Sequence, residues 1–195
     1  MSTISDSSLD QIFRQARTHS AWLDKPVTDV QLQALYDLSK WGPTSANTQP
    51  QRVLFLRASE AKERLKPHLA PTNVSKSMTA PVVAIIAYDL EFYTEMGRMF
   101  PHNPTARSWF EGTPAAFPTA FRNGTLQGAY LMLAARALGL DCGPMSGFEH
   151  EGVDQEFFAG TQWKSNFLCN IGYGDKSKLF PRGPRLTFNE ACKIL

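Results

Sequence analysis

A long apolar segment in the second half of the chain constrains the fold more than any other feature. Residues 121–138 predict one helix whose apolar side chains cover most of its circumference. The apolar positions are Leu126, Ala129, Tyr130, Leu131, Leu133, Ala134 and Leu138. An ordinary surface helix has a single apolar stripe, so we expect this helix to be buried on several sides. Gly139 provides its C-terminal stop.

Shorter patterns predict the other elements. Apolar residues at helical spacing predict helices at 7–17, 29–41 and 59–69 and after His150, with Thr28 or Asp29 and then Ser59 as N-caps. Compact apolar runs predict strands at 51–57, 81–88, 140–143 and 165–173. Between them, residues 89–118 contain four prolines and predict an irregular excursion, a kind of segment that often forms lids or partner contacts.

These elements predict a single α+β domain over residues 1–195. A chain of 195 residues fits one compact core. The helices do not alternate regularly with the strands, as they would in a doubly wound sheet. No G-x-G-x-x-G sequence follows a strand, which argues against a Rossmann unit for a nicotinamide cofactor.

Composition excludes several classes of function. Twenty Lys and Arg balance eighteen Asp and Glu, without a basic block, so nucleic acid is a poor candidate partner. The three cysteines are far apart, which argues against a disulfide framework and a metal site and favours a reducing cytoplasm. The polar N-terminus lacks the apolar core of a signal peptide, and no run is apolar enough to span a bilayer. We therefore expect a cytoplasmic protein that does not cross a membrane.

The most informative stretch is the loop at residues 42–50, GPTSANTQP, where a helix stop leads into hydroxyl and amide side chains. Such side chains can hydrogen-bond a polar ligand. They can equally form the local backbone bonds of a solvated turn, and composition alone does not decide between the two.

The order of these residues resembles the P-S-S-x-N-x-Q-P loop of the flavin-dependent nitroreductase family. The resemblance continues in family order through residues 73–76, 137–148 and 171–174. More narrowly, residues 41–47, 106–110 and 143–148 are similar to the branch that contains the malonic semialdehyde reductase of pyrimidine breakdown.

This resemblance implies a nitroreductase-like fold, with a small, mostly antiparallel sheet flanked by helices around a long central helix. It implies a homodimer that binds FMN between its subunits, with the long helix and both chain ends at the interface. NADH or NADPH would pass hydride to flavin N5. A small acceptor, either a malonic semialdehyde-type aldehyde or a nitroaromatic or quinone, would then be reduced in the same pocket by ping-pong kinetics.

The flavin phosphate requires cations, and arginine matches phosphate oxygens well. By the resemblance, the candidates are Arg17, Arg182 and Arg185. Thr18 and His19 would donate hydrogen bonds to the phosphate or the ribityl chain. Any one of these residues taken alone would more often be an ordinary surface residue.

Further residues are assigned to the rest of the flavin. Thr44, Ser45 and Asn47 would lie along the ribityl chain and ring edge. Asn73 and Lys76 are three apart, on one face of a helical turn, and would reach the polar edge of the ring. The Lys76 ammonium would stabilise the negative charge of the reduced flavin, unless it is simply a solvated helix lysine.

The last assigned residues would contact the ring itself. Asn123 would face the flavin pyrimidine, unless it is only a helix-start residue. Pro144, Met145, Ser146 and Gly147 would press backbone against the ring, with the amides of Ser146 and Gly147 near N5. Because the flavin carries the redox chemistry, no catalytic side chain and no metal are required.

Some positions depart from the family pattern, and others have more than one interpretation. Ser146 stands where many relatives have Glu and Gln51 where many have Trp, and residues 17–20 lack a second cation. Cys142 is interpreted as a packing residue. His102 and Trp109 are candidates for contact with substrate or with the partner subunit.

Two rival functions remain open at this stage. The first is a flavin-binding or flavin-consuming protein that does not turn over nicotinamide. The second is a structural or interaction domain without a cofactor, which the plain composition and the missing Rossmann sequence allow.

Overall fold

The computed structural model describes residues 2–195, which fold around one four-stranded sheet. The strands are β1 (Gln51–Leu56), β2 (Val82–Asp89), β3 (Asp141–Met145) and β4 (Trp163–Gly172). Their order is β1-β2-β4-β3, and every pair is antiparallel. All four predicted strands are present within a few residues of their expected ends, and the predicted α+β class is confirmed.

Strand β2 lies at the centre of the sheet, and all eight of its residues are buried. Successive side chains of a strand point to opposite faces, so the two halves of β2 enter different cores. Val82, Ala84 and Ile86 pack in one apolar cluster, and Val83 and Ile85 pack in the other. The sheet is therefore covered on both faces, which explains why β2 is the clearest strand in the sequence.

Eight α-helices surround the sheet within residues 2–195. They are α1 (Asp6–Leu9), α2 (Asp29–Ser39), α3 (Ser59–Leu65), α4 (Pro71–Met78), α5 (Met96–Met99), α6 (Ala116–Ala137), α7 (His150–Phe158) and α8 (Phe188–Ala191). Helices α2 and α6 pack on one face of the sheet, and α3 and α7 on the other. A π-helical turn, Asp10–Arg14, continues α1.

The predicted helix ends hold in part. Thr28 caps α2 in a capping box with Gln31, as expected for an N-cap threonine. The prediction of Ser59 as the cap of α3 is wrong, because Ala58 is the N-cap and no side chain caps the helix. The first helix ends at Arg14 rather than Arg17, since the chain then turns to run beside β3.

Two expectations for the long helix are also wrong. Helix α6 begins at Ala116, five residues before the expected start, because Pro118 lies in its first turn, where a backbone N–H would have no helical partner to lose. Within one chain the helix is buried along a single face, and Phe121, Leu126 and Tyr130 are exposed. No helix among residues 2–195 is long and apolar enough to cross a membrane.

The excursion between β2 and α6 contains short helical turns and no strand. These are 3₁₀ turns at Phe92–Glu95 and Ala106–Trp109, with α5 between them. Phe92, Met96 and Phe110 form a small core of their own with Tyr88 at the end of β2. The excursion is thus irregular, as predicted, but its inner side is packed.

Two glycines let α6 approach the sheet closely. A Cβ on Gly124 would lie 2.9 Å from Cβ of Tyr88, and a Cβ on Gly128 would lie 2.6 Å from the ring of Phe167. Glycine costs about 1 kcal/mol in a helix interior, so its presence twice on the buried face fits a steric requirement.

We expect Gly124→Ala to lower the free energy of unfolding by about 1–3 kcal/mol, because a methyl group placed against Tyr88 overpacks the contact. Urea unfolding measures the change. Gly97→Ala in α5 is the matched control, since nothing lies within 4 Å of that position. A Gly124 variant as stable as the Gly97 variant would contradict the packing argument.

Candidate functional site

The first group of predicted site residues lies at the outer edge of β3. Thr18 forms a parallel bridge with Cys142, and the amide of His19 donates to the Cys142 carbonyl at 3.0 Å. The N-terminal segment therefore extends the sheet beyond β3. This pairing fixes the backbone of residues 17–19 next to the strand that leads into Pro144.

Two of the three predicted phosphate cations lie where the C-terminal tail crosses this segment. The guanidinium of Arg17 donates to the Phe180 carbonyl, and that of Arg182 donates to the Ala16 carbonyl at 2.8 Å. Arg185 donates only to carbonyls of its own loop. None of the three arginines has a carboxylate partner within residues 2–195, so their charges are not neutralised there.

His19 is almost fully buried, with 2% of its surface exposed, and Nδ1 has no hydrogen-bond partner within the described chain. A Cβ on Gly174 would overlap that nitrogen, so glycine is required beside it. Burial lowers the pKa of His19, while the Asp141 carboxylate, 3.5 Å from Nε2, acts in the opposite direction. The buried imidazole therefore keeps one ring nitrogen without a partner, packed against Gly174.

Helix α4 and the segment after β3 are joined by Asn73. Its side-chain amide donates to the Gly147 carbonyl at 2.8 Å, and Asn73 itself is buried. A Cβ on Gly147 would lie 2.7 Å from that amide nitrogen, so only glycine allows this approach. The predicted residues Asn73 and Gly147 are thus in direct contact.

Lys76 is held through its backbone rather than through its charge. Its carbonyl accepts from Trp22 Nε1 and from Asn170 Nδ2, both at 3.0 Å. Its ammonium makes no hydrogen bond or ion pair within residues 2–195. Sequence reasoning missed Trp22 and Asn170, although an amide inside the apolar run of β4 was a usable indication for Asn170.

A cavity of about 350 Å³ lies beside the segment that begins at Pro144. Its lining is mostly apolar and consists of Thr125, Ala129, Met132, Pro144, Met145, Ser146 and Phe167. Two of the lining residues belong to β3, the strand whose Cys142 pairs with the residue after Arg17. An apolar wall and un-neutralised cations along one strand suit a ligand that combines a flat ring with an anionic group. The residues present therefore fit a flavin phosphate cofactor.

The second group of predicted residues lies at the opposite edge of the sheet, in the loop before β1. The amide of Ser45 donates to Oδ1 of Asn123 at 2.9 Å, and Nδ2 of Asn123 donates to the Thr119 carbonyl at 2.9 Å. Nδ2 of Asn47 donates to the Met99 carbonyl at 2.8 Å. Thr44 accepts from the backbone of the same loop. In this chain Asn123 supports the loop from α6.

Gln127 also supports this loop, and sequence reasoning missed it. It lies one helical turn after Asn123, is 4% exposed, and accepts from the Gln51 amide at 2.9 Å. A second amide four residues after Asn123 in an otherwise apolar helix was the available indication, because residues i and i+4 share a helix face.

The structure does not join the two groups into one site. Within residues 2–195, no hydrogen bond links the loop at 42–49 to the residues gathered around β3. Each group is well fixed by its own contacts, yet a single chain leaves them separate.

The cysteine at this edge has a packing role, as predicted. Cys142 and Cys169 are fully buried on neighbouring strands. A hydrogen bond with Cys142, together with burial, raises the pKa of Cys169 well above its ordinary value. The Cys169 thiol is therefore protonated at neutral pH and is a poor nucleophile.

Comparison with known proteins agrees with the fold. Residues 13–173 match the sequence model of the nitroreductase family. A candidate NADH dehydrogenase/NAD(P)H nitroreductase from Cupriavidus pinatubonensis is 57% identical over 189 residues, covering 95% of this chain and 96% of the relative. Another from Rhodopseudomonas palustris is 58% identical over 195 residues, covering 100% and 99%.

Solved structures share the architecture at low sequence identity. A candidate nitroreductase from Exiguobacterium sibiricum, solved in complex with FMN, superposes with a TM-score of 0.86 at 20% identity. The match covers 100% of this chain and 99% of that one. It confirms the predicted nitroreductase-like fold.

The buried His19 predicts a pH-dependent stability. Its folded pKa lies below the ordinary value of 6.5, so the unfolded chain takes up the proton first and stability falls as pH drops below about 6.5. We expect His19→Gln to lose less stability than the unsubstituted protein between about pH 7.5 and about pH 5.5 in urea unfolding. Equal losses in the two proteins would show that His19 does not titrate differently on folding.

Proposed function

The chain belongs to the nitroreductase family, and from that premise we propose that it is an FMN-dependent NAD(P)H oxidoreductase acting as a homodimer. The observation that carries the proposal is that un-neutralised cations and an apolar cavity edged by Pro144, Met145 and Ser146 both adjoin β3. The names of the two bacterial relatives and the FMN complex of the structural neighbour support the same assignment.

The residues at the β3 edge would hold the phosphate and ribityl chain. Arg17, Arg182 and Arg185 supply positive charge to the phosphate, and Thr18 supplies a hydroxyl. By the resemblance, His19 would supply a further hydrogen-bonding group. Thr44, Ser45 and Asn47 would reach the cofactor from the second group.

The ring would lie against the Pro144–Gly147 backbone, which Asn73 holds in place. When bound, the flavin supplies the two-electron chemistry between nicotinamide and acceptor. The Lys76 ammonium favours the reduced cofactor because it offsets added negative charge at the polar edge of the ring. The protein thus contributes orientation and electrostatics rather than a nucleophile or base.

One pocket would receive nicotinamide and acceptor in turn, so initial-rate plots should be parallel, as in ping-pong kinetics. The acceptor we propose is a small semialdehyde, in line with the branch resemblance. Nitroaromatics and quinones are alternative acceptors that the same open pocket would admit.

The homodimer accounts for three features of the single chain. The two groups of site residues are not joined within one chain. Helix α6 exposes Phe121 and Tyr130, and the tail exposes Phe180, Leu186 and Phe188. Burying these apolar surfaces against a second copy removes them from water and brings both groups to one interface.

We expect the purified protein to show a flavin absorbance band that NADH bleaches without oxygen and that malonic semialdehyde restores. Lys76→Met should retain the band but slow bleaching by about tenfold or more, since one lost charge contact of about 1.4 kcal/mol corresponds to a factor of ten. Stopped-flow absorbance measures both steps.

Lys66→Met is the matched control, because Lys66 is an exposed lysine paired only with Glu63. Its bleaching rate should equal that of the unsubstituted protein. A flavin band that NADH does not bleach would favour the flavin-binding rival. A colourless protein that takes up no added FMN would refute the proposal.

The tail predicts a link between assembly and cofactor. Deleting residues 181–195 should produce a monomer that has lost its flavin, because the exposed apolar tail and Arg182 and Arg185 are removed together. Sedimentation and the flavin band measure the two losses. The double variant Arg182→Gln, Arg185→Gln should remain a dimer and bind FMN about tenfold or more weakly, from the loss of charged hydrogen bonds. A deletion variant that stays dimeric would contradict the tail's role at the interface.

A further inference from the structure

Three side-chain amides form a continuous hydrogen-bonded chain from α6 to the excursion before it. Gln127 Nε2 donates to Gln49 Oε1 at 2.9 Å, and Gln49 Nε2 donates to Asn47 Oδ1 at 2.7 Å. Asn47 Nδ2 then donates to the Met99 carbonyl at 2.8 Å. Gln127 Oε1 accepts from the Gln51 amide.

The two ends of this chain fix the direction of every amide in it. A backbone N–H at Gln51 can only donate, and a backbone carbonyl at Met99 can only accept. Between them, Gln127, Gln49 and Asn47 must each turn its oxygen toward Gln51 and its nitrogen toward Met99. Reversing one amide would place two oxygens or two N–H groups against each other.

The loop that carries two of these amides has an unusual backbone. Ala46, Asn47 and Gln49 have φ angles of 46°, 52° and 46°, in the left-handed region that favours glycine. Such a conformation costs of order 1 kcal/mol or more for each residue and persists only where surrounding contacts impose it. The amide chain, together with Ser45 on Asn123, supplies those contacts.

The same loop and the excursion border one cavity of about 1260 Å³. Asn47, Gln49 and Gln127 line it from the loop and α6, and Arg98 and Met99 line it from the excursion. Phe100 follows Met99, and its ring contacts the rings of His102 and Trp109. A contact that fixes Met99 therefore positions this aromatic group relative to the loop.

We propose that Gln127, Gln49 and Asn47 act as a positioning relay that holds residues 96–110 against the loop at 42–49 and thereby sets the width of the acceptor pocket. The proposal rests on the proposed function, which assigns that loop to the flavin. The relay acts on the pocket through the Met99 carbonyl, and Gln127 and Gln49 touch neither reactant.

The test is Gln49→Glu, which keeps the size of the side chain and removes its donor. The carboxylate introduced by this change still accepts from Gln127 but cannot donate to Asn47. Asn47 then turns its nitrogen toward that carboxylate and its oxygen toward the Met99 carbonyl, which breaks the last bond. We expect the amides of residues 96–110 to exchange hydrogen about fivefold faster, and KM for the acceptor to rise about fivefold with kcat changed less than about twofold.

Gln155→Glu is the matched control, because Gln155 is exposed on α7, away from this cavity, and its side chain makes no hydrogen bond within residues 2–195. It should leave exchange and KM unchanged. Asn47→Asp is the second variant, in case Gln49→Glu prevents folding. It keeps the acceptor for Gln49 but cannot donate to Met99, so it should release the same segment.

Unchanged exchange of residues 96–110 in a folded Gln49→Glu or Asn47→Asp protein would overturn the relay. Faster exchange with unchanged acceptor KM would overturn its role in the pocket. Exchange can be measured on flavin-free protein, so an unsubstituted chain that binds no FMN would refute the proposed function while the exchange rates still decide whether the relay exists.

Discussion

The close contact between α6 and the sheet determines where the candidate site can form. The buried face of α6 alternates amides with glycines, as Asn123, Gly124, Gln127 and Gly128. The glycines remove the side chains that would hold the helix away from Tyr88 and Phe167. Only with the helix that close do the two amides reach the backbone of Ser45 in the loop and of Gln51 at the start of β1. The packing of the core and the shape of the loop therefore depend on each other.

Because these amides are buried, they need hydrogen-bond partners, and the loop and the start of β1 supply them. A buried amide without partners costs several times what one hydrogen bond contributes, so Asn123 and Gln127 are compatible with the core only if the loop adopts a shape that satisfies them. The loop in turn accepts three left-handed residues. The hydrogen bonds that satisfy the buried amides thus stabilise a strained backbone, although residues 44–50 contain no glycine.

Elements with a local cause were predictable from the sequence, and elements with a tertiary cause were not. Strand β2 was clear because all of its residues are buried, and the α2 cap was clear because Thr28 and Gln31 lie in one local motif. The start of α6 was missed because Pro118 resembles a helix breaker until its place in the first turn is known. The cap at Ser59 was wrong because the chain enters α3 one residue earlier, at Ala58. Gln127 was missed because its partners are 76 and 78 residues away in the sequence.

The residues around β3 show how a chain can orient a cation without neutralising it. Arg17 and Arg182 both donate to backbone carbonyls, and Lys76 is positioned by bonds to its own carbonyl. A carboxylate partner would fix such side chains equally well, but it would cancel most of the charge that an anionic ligand experiences. A neutral carbonyl fixes the guanidinium and leaves its charge in place, with further N–H groups free to donate. This choice of partners distinguishes the arginines here from Arg52, which is paired with Asp89 and ties β1 to β2. The difference follows from position: within the sheet a neutralised pair stabilises the fold, whereas at the β3 edge the remaining positive charge is what a phosphate group would bind.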